Sequence, residues 1–116
     1  MLKLGQETAI YVASERVDFR KGINGLAALV LEHFEKAPQD GSVYVFYNSD
    51  YTRLKCLFWD KNGFVLYHKR LERGRFKFGK ADGSYGITQN QLSWLLAGLD
   101  FRLMAEFPAL DFTHYF

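Results

Sequence analysis

Apolar positions along the chain follow two periods, and each change of period marks an element. Thr8 to Ala13 alternates loosely around Ile10, Tyr11 and Val12, which predicts a short first strand. Ile23, Leu26, Ala27, Val30 and Phe34 recur at helical spacing. They predict a helix over about 20–36 with Asp18 as its N-cap, ended by Pro38 and the turn Gln39-Asp40-Gly41. Val43 to Tyr47 is an unbroken β-prone run and reads as a buried strand. Leu54 to Asp60 and Phe64 to Leu71 flank Asn62-Gly63, the dipeptide that favours a type I′ hairpin turn. A further strand is expected over about 75–78, after the turn Glu72-Arg73-Gly74. The last regular element is a helix over about 89–99, with Thr88 and Gln91 spaced as a capping box and Ile87 and Leu92 as a hydrophobic staple. Leu92, Leu95, Leu96 and Leu99 form its apolar stripe. Together these elements predict an α+β fold: a twisted antiparallel sheet of about four or five strands, with the two main helices packed mainly on one face.

The hairpin has two different faces. Arg53, Lys55, Leu57 and Trp59 share one with Phe64, Leu66, His68 and Arg70. The other carries Leu54, Cys56, Phe58, Val65, Tyr67 and Leu71, with Lys69 as an exception, and reads as the core side. A two-residue Asn62-Gly63 loop sets Lys55 opposite Arg70, a like-charge pair that an anion lying across it would relieve. Arg75 and Lys77 alternate with Phe76 and Phe78 and extend the same basic, aromatic arrangement. Basic side chains beside exposed rings suit phosphates and single strands, although long Lys and Arg stems also cover rings simply by snorkelling.

Charge distribution sharpens this picture. The formal net charge is only +2, but residues 1–52 balance at −2, residues 53–80 at +7 and residues 81–116 at −3. A dense basic segment between mildly acidic flanks points to a local polyanion contact. Arg20-Lys21-Gly22, at the start of the first predicted helix, is a second anion candidate, with neutralisation by Asp18 as the plainer alternative.

Composition adds an aromatic load: eleven Phe, seven Tyr and two Trp make up 17% of 116 residues, which implies some rings at a binding surface. Trp94, Ala97 and Phe101 give the last helix a second apolar flank. Residues 101–116 form an aromatic tail that packs either on the domain or on a partner. Trp94, Phe101, Phe112 and Phe116 are therefore the candidate partner interface. Nothing divides residues 1–116 into more than one domain. No run has the length of a membrane helix and no signal peptide is evident, so a cytoplasmic location without membrane contact is expected.

Catalytic chemistry is poorly represented. One Cys forbids an internal disulfide, and Cys56 alternates onto the core side. His33, His68 and His114 lack metal-ligand spacing, and no phosphate loop, dinucleotide fingerprint or nucleophile elbow is present. Asp18, Asp60, Asp100 and Asp111 are conceivable metal ligands but read better as a helix cap, a turn acid, a helix-end acid and a tail residue. No cofactor and no metal are expected.

Three blocks resemble the TnpB-type accessory proteins encoded by the second open reading frame of insertion-sequence-66 family transposons. They are Val17-Asp18-Phe19-Arg20-Lys21-Gly22-Ile23-Asn24-Gly25-Leu26, a long stretch made up of residues 43–48, 53–55, 59–64 and 69–76, and Leu92-Ser93-Trp94-Leu95-Leu96-Ala97-Gly98-Leu99-Asp100. The resemblance implies a non-enzymatic helper in transposition, acting beside a separate transposase and on or near transposon-end DNA. Similar proteins carry a basic run after the position of Asn48, where this chain has Ser49-Asp50-Tyr51-Thr52. The expected nucleic-acid contacts are Arg20, Lys21, Arg53, Lys55, Trp59, Lys69, Arg70, Arg73, Arg75 and Lys77, with weak sequence specificity. Expected partners are DNA, the transposase and other proteins of the same element, or a second copy of the chain. The competing expectation is an assembly module that docks on the transposase or self-associates without touching DNA.

Overall fold

A strand without a polar face is stable only where both of its faces are covered, and Val43–Tyr47 lies in such a place. In the computed structural model, which describes residues 4–5, 7–79 and 83–103, all five residues of this strand are buried. It is β2 of a five-stranded open sheet with β1 (Ile10–Val12), β3 (Arg53–Asp60), β4 (Gly63–Arg70) and β5 (Tyr85–Ile87), in the order β4-β3-β2-β1-β5. Two helices, α1 (Ile23–Leu29) and α2 (Gln89–Leu96), complete an α+β fold.

The sheet is mixed rather than antiparallel throughout. β1 and β2 run parallel, and the other three neighbouring pairs are antiparallel. The chain order accounts for this: α1 lies between β1 and β2, and a helical crossover returns the chain in the same direction. The two helices take opposite faces, not one. Phe34, just beyond α1, packs edge-on against Tyr44 and Phe46. Lys69, whose side of the sheet is that of Leu54 and Tyr47, donates from Nζ to the Leu96 carbonyl at 2.7 Å. That places α2 on the face opposite α1 and sets an ammonium where the end of a helix leaves carbonyls open.

The helix ends follow local chemistry. Thr88 caps α2 in a full capping box with Gln91, as its spacing predicts, and Gly98 follows at φ +82. α1 starts later than expected, with Gly22 as its N-cap and no side-chain cap. Asp18 instead accepts from the backbone and guanidinium of Arg20, a turn closed before the helix begins. α1 continues into a π-helical turn over Val30–Phe34, which ends at Glu35 in the left-handed region. The residues expected as a strand near 75–78 are irregular, and the fifth strand is Tyr85–Ile87, on the far edge beside β1.

The hairpin turn also moves by one residue. Asp60 pairs with Gly63, Lys61 takes φ +54, and the Asn62 N–H reaches the Asp60 carbonyl. The faces are unchanged, but Lys55 now stands opposite His68, and Arg53 opposite Arg70. Phe101 begins a short 3-10 turn and is buried in the chain's own core. Phe112, Phe116 and the rest of the tail beyond Leu103 lie outside the described residues.

Thr88→Ala should lower the unfolding free energy by about 1 kcal/mol in urea denaturation, through loss of the α2 cap. Asp18→Ala, which caps no helix here, should shift the urea midpoint less.

Candidate nucleic-acid interface

The hairpin alternates as expected, but its basic face is covered along the middle. Leu57 is fully buried and Lys55 is only 6% exposed, beneath the segment that leads into α1. The Lys55 ammonium donates to the carbonyls of Phe19 and Lys21, both at 3.0 Å, and lies 4.7 Å from the centre of the Phe19 ring. Burial pushes its pKa down, the charge of Arg53 adds to that, and Asp18 opposes both. His68, directly opposite Lys55, meets the other side of the cluster by an edge contact with Phe19. Its pKa is also lowered, first by burial and then by the charges of Lys55, Arg53 and Arg70.

This ammonium is one of several ties on the segment between β1 and α1. Ala13 N–H bonds to the Val45 carbonyl, Val17 N–H to that of Tyr47, and the buried Tyr47 hydroxyl donates to the Ala13 carbonyl. Held in this way, Arg16 and Arg20 line one groove with Arg53, Asn48 and Ser49. The Asn48 side chain accepts from the N–H groups of Thr52 and Arg53, which shapes the opposite wall.

A third segment joins them at the same end of the sheet. Leu71 and Phe76 donate backbone N–H groups to the carbonyls of Thr52 and Tyr51, so residues 72–75 form an excursion from the β2–β3 turn. Arg73 and Arg75 are exposed on it. Arg20 is bidentate to Asp18 and Arg70 pairs with Glu72 at 3.0 Å. Arg16, Arg53, Arg73 and Arg75 have no carboxylate partner among the described residues. The Asp18 carboxyl is held near 2, chiefly by the Arg20 side chain, so its charge persists at any ordinary pH.

The remaining expected contacts fall elsewhere. Lys55 and Lys69 spend their ammonium groups on backbone carbonyls inside the fold. Trp59 packs edge-on with Phe64 at the closed tip of the hairpin, about 20 Å along β3 from Arg53 at the usual rise per residue. Lys77 is exposed and its charge acts on Asp100, beyond α2. Lys21 is exposed next to Arg20. Trp94 is half-buried against the core. Arg16 was not among the expected residues; its signal was the cluster of three cations, Arg16, Arg20 and Lys21, between the first strand and helix.

Behind the groove is a pocket of about 180 Å³, lined by Val17, Leu29, Phe34 and Phe46 together with Ser14, Glu15, Lys21, His33 and Ser84. Arg16, Val17 and Asp18 line both cavities. Other chemistry is sparse. Burial raises the Cys56 thiol to about 12, which leaves it unionised. Asp18 pairs with Arg20, Asp100 pairs with Arg102, and Asp60 sits at the hairpin turn; Asp111 lies outside the described residues.

Comparison with known proteins places the chain in a family. Residues 8–106 match the family model described as IS66 Orf2 like protein, and the chain belongs to that family. Two similar proteins come from Sinorhizobium fredii (strain NBRC 101917 / NGR234). Uncharacterized protein y4jC is 40% identical over 100 residues, covering 85% of this chain and 86% of its own length. Uncharacterized protein y4hO is 39% identical over 103 residues, covering 88% and 90%. No solved structure matches. No helix among the described residues is long and apolar enough to cross a membrane.

Lys55→Met keeps the stem of the side chain and removes its charge and donors. It should destabilise the fold by about 1–3 kcal/mol in urea denaturation, because two carbonyls lose their partner. It should also raise the His68 pKa toward 6.5 in an NMR titration, since one of the charges that depress it is gone. The sign for stability follows. With a folded pKa below the unfolded one, His68 contributes its full stability above about pH 6.5 and loses it as pH falls through that depressed value. Lys55→Met should flatten this acid-side slope.

Proposed function

We propose that the protein is a non-enzymatic accessory factor in transposition of its element, and that it contacts the DNA backbone through the arginine end of its sheet. One observation carries the DNA contact: cations from three separate segments meet at this end, and Arg16, Arg53, Arg73 and Arg75 have no carboxylate partner among the described residues, although Asp18, Asp50 and Glu72 lie at the same end. Arg16 comes from the β1–α1 connection, Arg53 from β3, and Arg73 and Arg75 from the excursion after β4. Arg53 directly opposes Arg70 on the neighbouring strand, and like charges so placed repel unless an anion or a carboxylate lies across them. Glu72 offsets part of that cost from an exposed position. A phosphate would offset the rest, and guanidinium groups suit it by their fork of donors.

Family membership supports the transposition setting, since an Orf2-like protein is encoded beside a separate transposase. Among the described residues no recognition helix is free to enter a groove, so sequence specificity is weak in this reading and any choice of site comes from the partner. No cofactor is required, and the protein acts in the cytoplasm. A second reading, docking on the transposase or on another copy, is favoured by two exposed leucines after α2, Leu99 at 44% and Leu103 at 82%, the first bonded through its backbone to the half-buried Trp94. The two readings assign different ends of the molecule and can both hold.

The test is fluorescence anisotropy with transposon-end duplex, scrambled duplex and single strand across a range of salt. Arg53→Ala/Arg70→Ala/Arg73→Ala should weaken binding at least about tenfold and reduce the salt slope by about 2–3. Its melting temperature should match wild type, because these side chains are exposed and removing Arg53 and Arg70 relieves repulsion. Affinity unchanged by the triple substitution would exclude this end of the sheet as the DNA contact.

A further inference from the structure

The pocket behind the groove has no task in the reading above, and its character is wrong for a phosphate. Its buried lining is apolar, with Phe34 and Phe46 beneath and Leu29 beside them, while its polar lining residues, such as Glu15 and His33, are exposed. A planar heterocycle fits that division: an apolar body with hydrogen-bonding groups along one edge. At about 180 Å³ the pocket has room for one such ring and none for a base pair.

Its position decides between possible occupants. The pocket and the arginine groove share the wall Arg16-Val17-Asp18, so an occupant of the pocket lies beside an anion held in the groove. Base and phosphate are neighbours within every nucleotide, and an apolar side chain of a protein partner has no comparable reason to adjoin cations. Part of the wall is the π-helical turn that carries His33 and Phe34, a departure from regular helix of the kind that often marks functional sites. The connection bearing Arg16 is fixed to the sheet by Val17, Tyr47 and Lys55, so the pocket and groove keep their spacing.

We propose that this pocket receives one unpaired nucleobase of the strand whose phosphates occupy the groove, so that the protein prefers single-stranded or locally opened DNA to intact duplex. The proposal rests on the DNA reading above and deepens it. In a closed duplex the base edges are paired and stacked, and none reaches a pocket set behind a phosphate groove. A free strand presents its bases without that cost.

The test uses the full chain and a short single strand carrying one 2-aminopurine, with anisotropy and 2-aminopurine emission recorded together. Saturating wild-type protein should raise the emission as the base leaves its stack. Ser14→Trp and Ser84→Trp each fill the pocket from an exposed lining position. Both should bind the strand about tenfold more weakly and leave the emission of the bound strand near that of the free one. Using both variants guards against one of them failing to fold. Emission that stays flat while anisotropy saturates would overturn the base pocket and leave the phosphate groove standing. Emission raised equally by both folded Trp variants would do the same. No anisotropy change even at low salt would remove the DNA reading and the base pocket with it. Trp variants that keep strand binding and emission but lose the element's transposase would assign the pocket to a protein side chain instead.

Discussion

A buried ammonium needs acceptors for its protons, and the one supplied by Lys55 decides where the chain runs before α1. With only 6% of the residue exposed, its hydrogen bonds go to the carbonyls of Phe19 and Lys21 and its charge faces the Phe19 ring. Polar groups taken from water are tolerable only when so paired. The segment from Val17 to Lys21 therefore lies against β3 instead of swinging free, and Arg16 and Arg20 come to rest beside Arg53. The same charge is felt by its neighbours Asp18 and His68. With burial and the charges of Arg53 and Arg70, it lowers the His68 pKa.

The covering of both sheet faces explains which expectations hold along the hairpin. Alternation identified the two faces of β3 and β4 correctly, and the capping box of α2 and the bounds of β2 were legible in the same way. What alternation could not reveal was that β3 is an inner strand buried on both faces over Leu54–Leu57. In such a strand neither face is free, and a lysine between Leu54 and Leu57 belongs to the core as much as its neighbours do. The order strand, helix, strand over residues 8–47 was itself the sign of a parallel crossover, and a crossover puts its helix on one face and leaves the other for α2. Asp18 was misread as a cap because an Asp before an apolar stripe looks the same whether it bonds to a helix N–H or, as here, to Arg20.

The basic segment illustrates a different limit. Counting charge over residues 53–80 marks a basic segment and cannot sort its members by task. Lys69 closes the end of α2, Lys55 holds the α1 approach, Lys61 sits in the hairpin turn and the charge of Lys77 acts on Asp100. That leaves Arg53, Arg70, Arg73 and Arg75 as the exposed cations of the segment at the β2–β3 end of the sheet. The division by residue type has a physical basis. A lysine can bury its stem and spend a compact charge on one or two carbonyls, whereas a guanidinium with five donors is harder to satisfy inside a small core. Arg16 escaped notice because it is separated in sequence from Arg20-Lys21 and from the helix start, and only folding brings it beside Arg53.

The aromatic load bears on how such a surface would hold DNA. Many of the rings are committed to one another: Tyr11 to Tyr44, Phe34 to Tyr44 and Phe46, Tyr47 to Tyr51 and Phe78. Rings packed in this way secure the sheet, and of those named Phe34 and Phe46 alone also line the pocket beside the groove. Trp59 and Phe64, the most plausible stacking pair by sequence, face each other at the hairpin tip, away from the arginines. A strand crossing the arginine end thus meets charge first, and contact of this kind follows salt and backbone shape more than sequence. Discrimination between single and double strands at such a surface has to come from a feature that admits a base and excludes a pair. Among the described residues, the small cavity walled by Arg16, Val17 and Asp18 is the feature that adjoins the groove and has the size to do so.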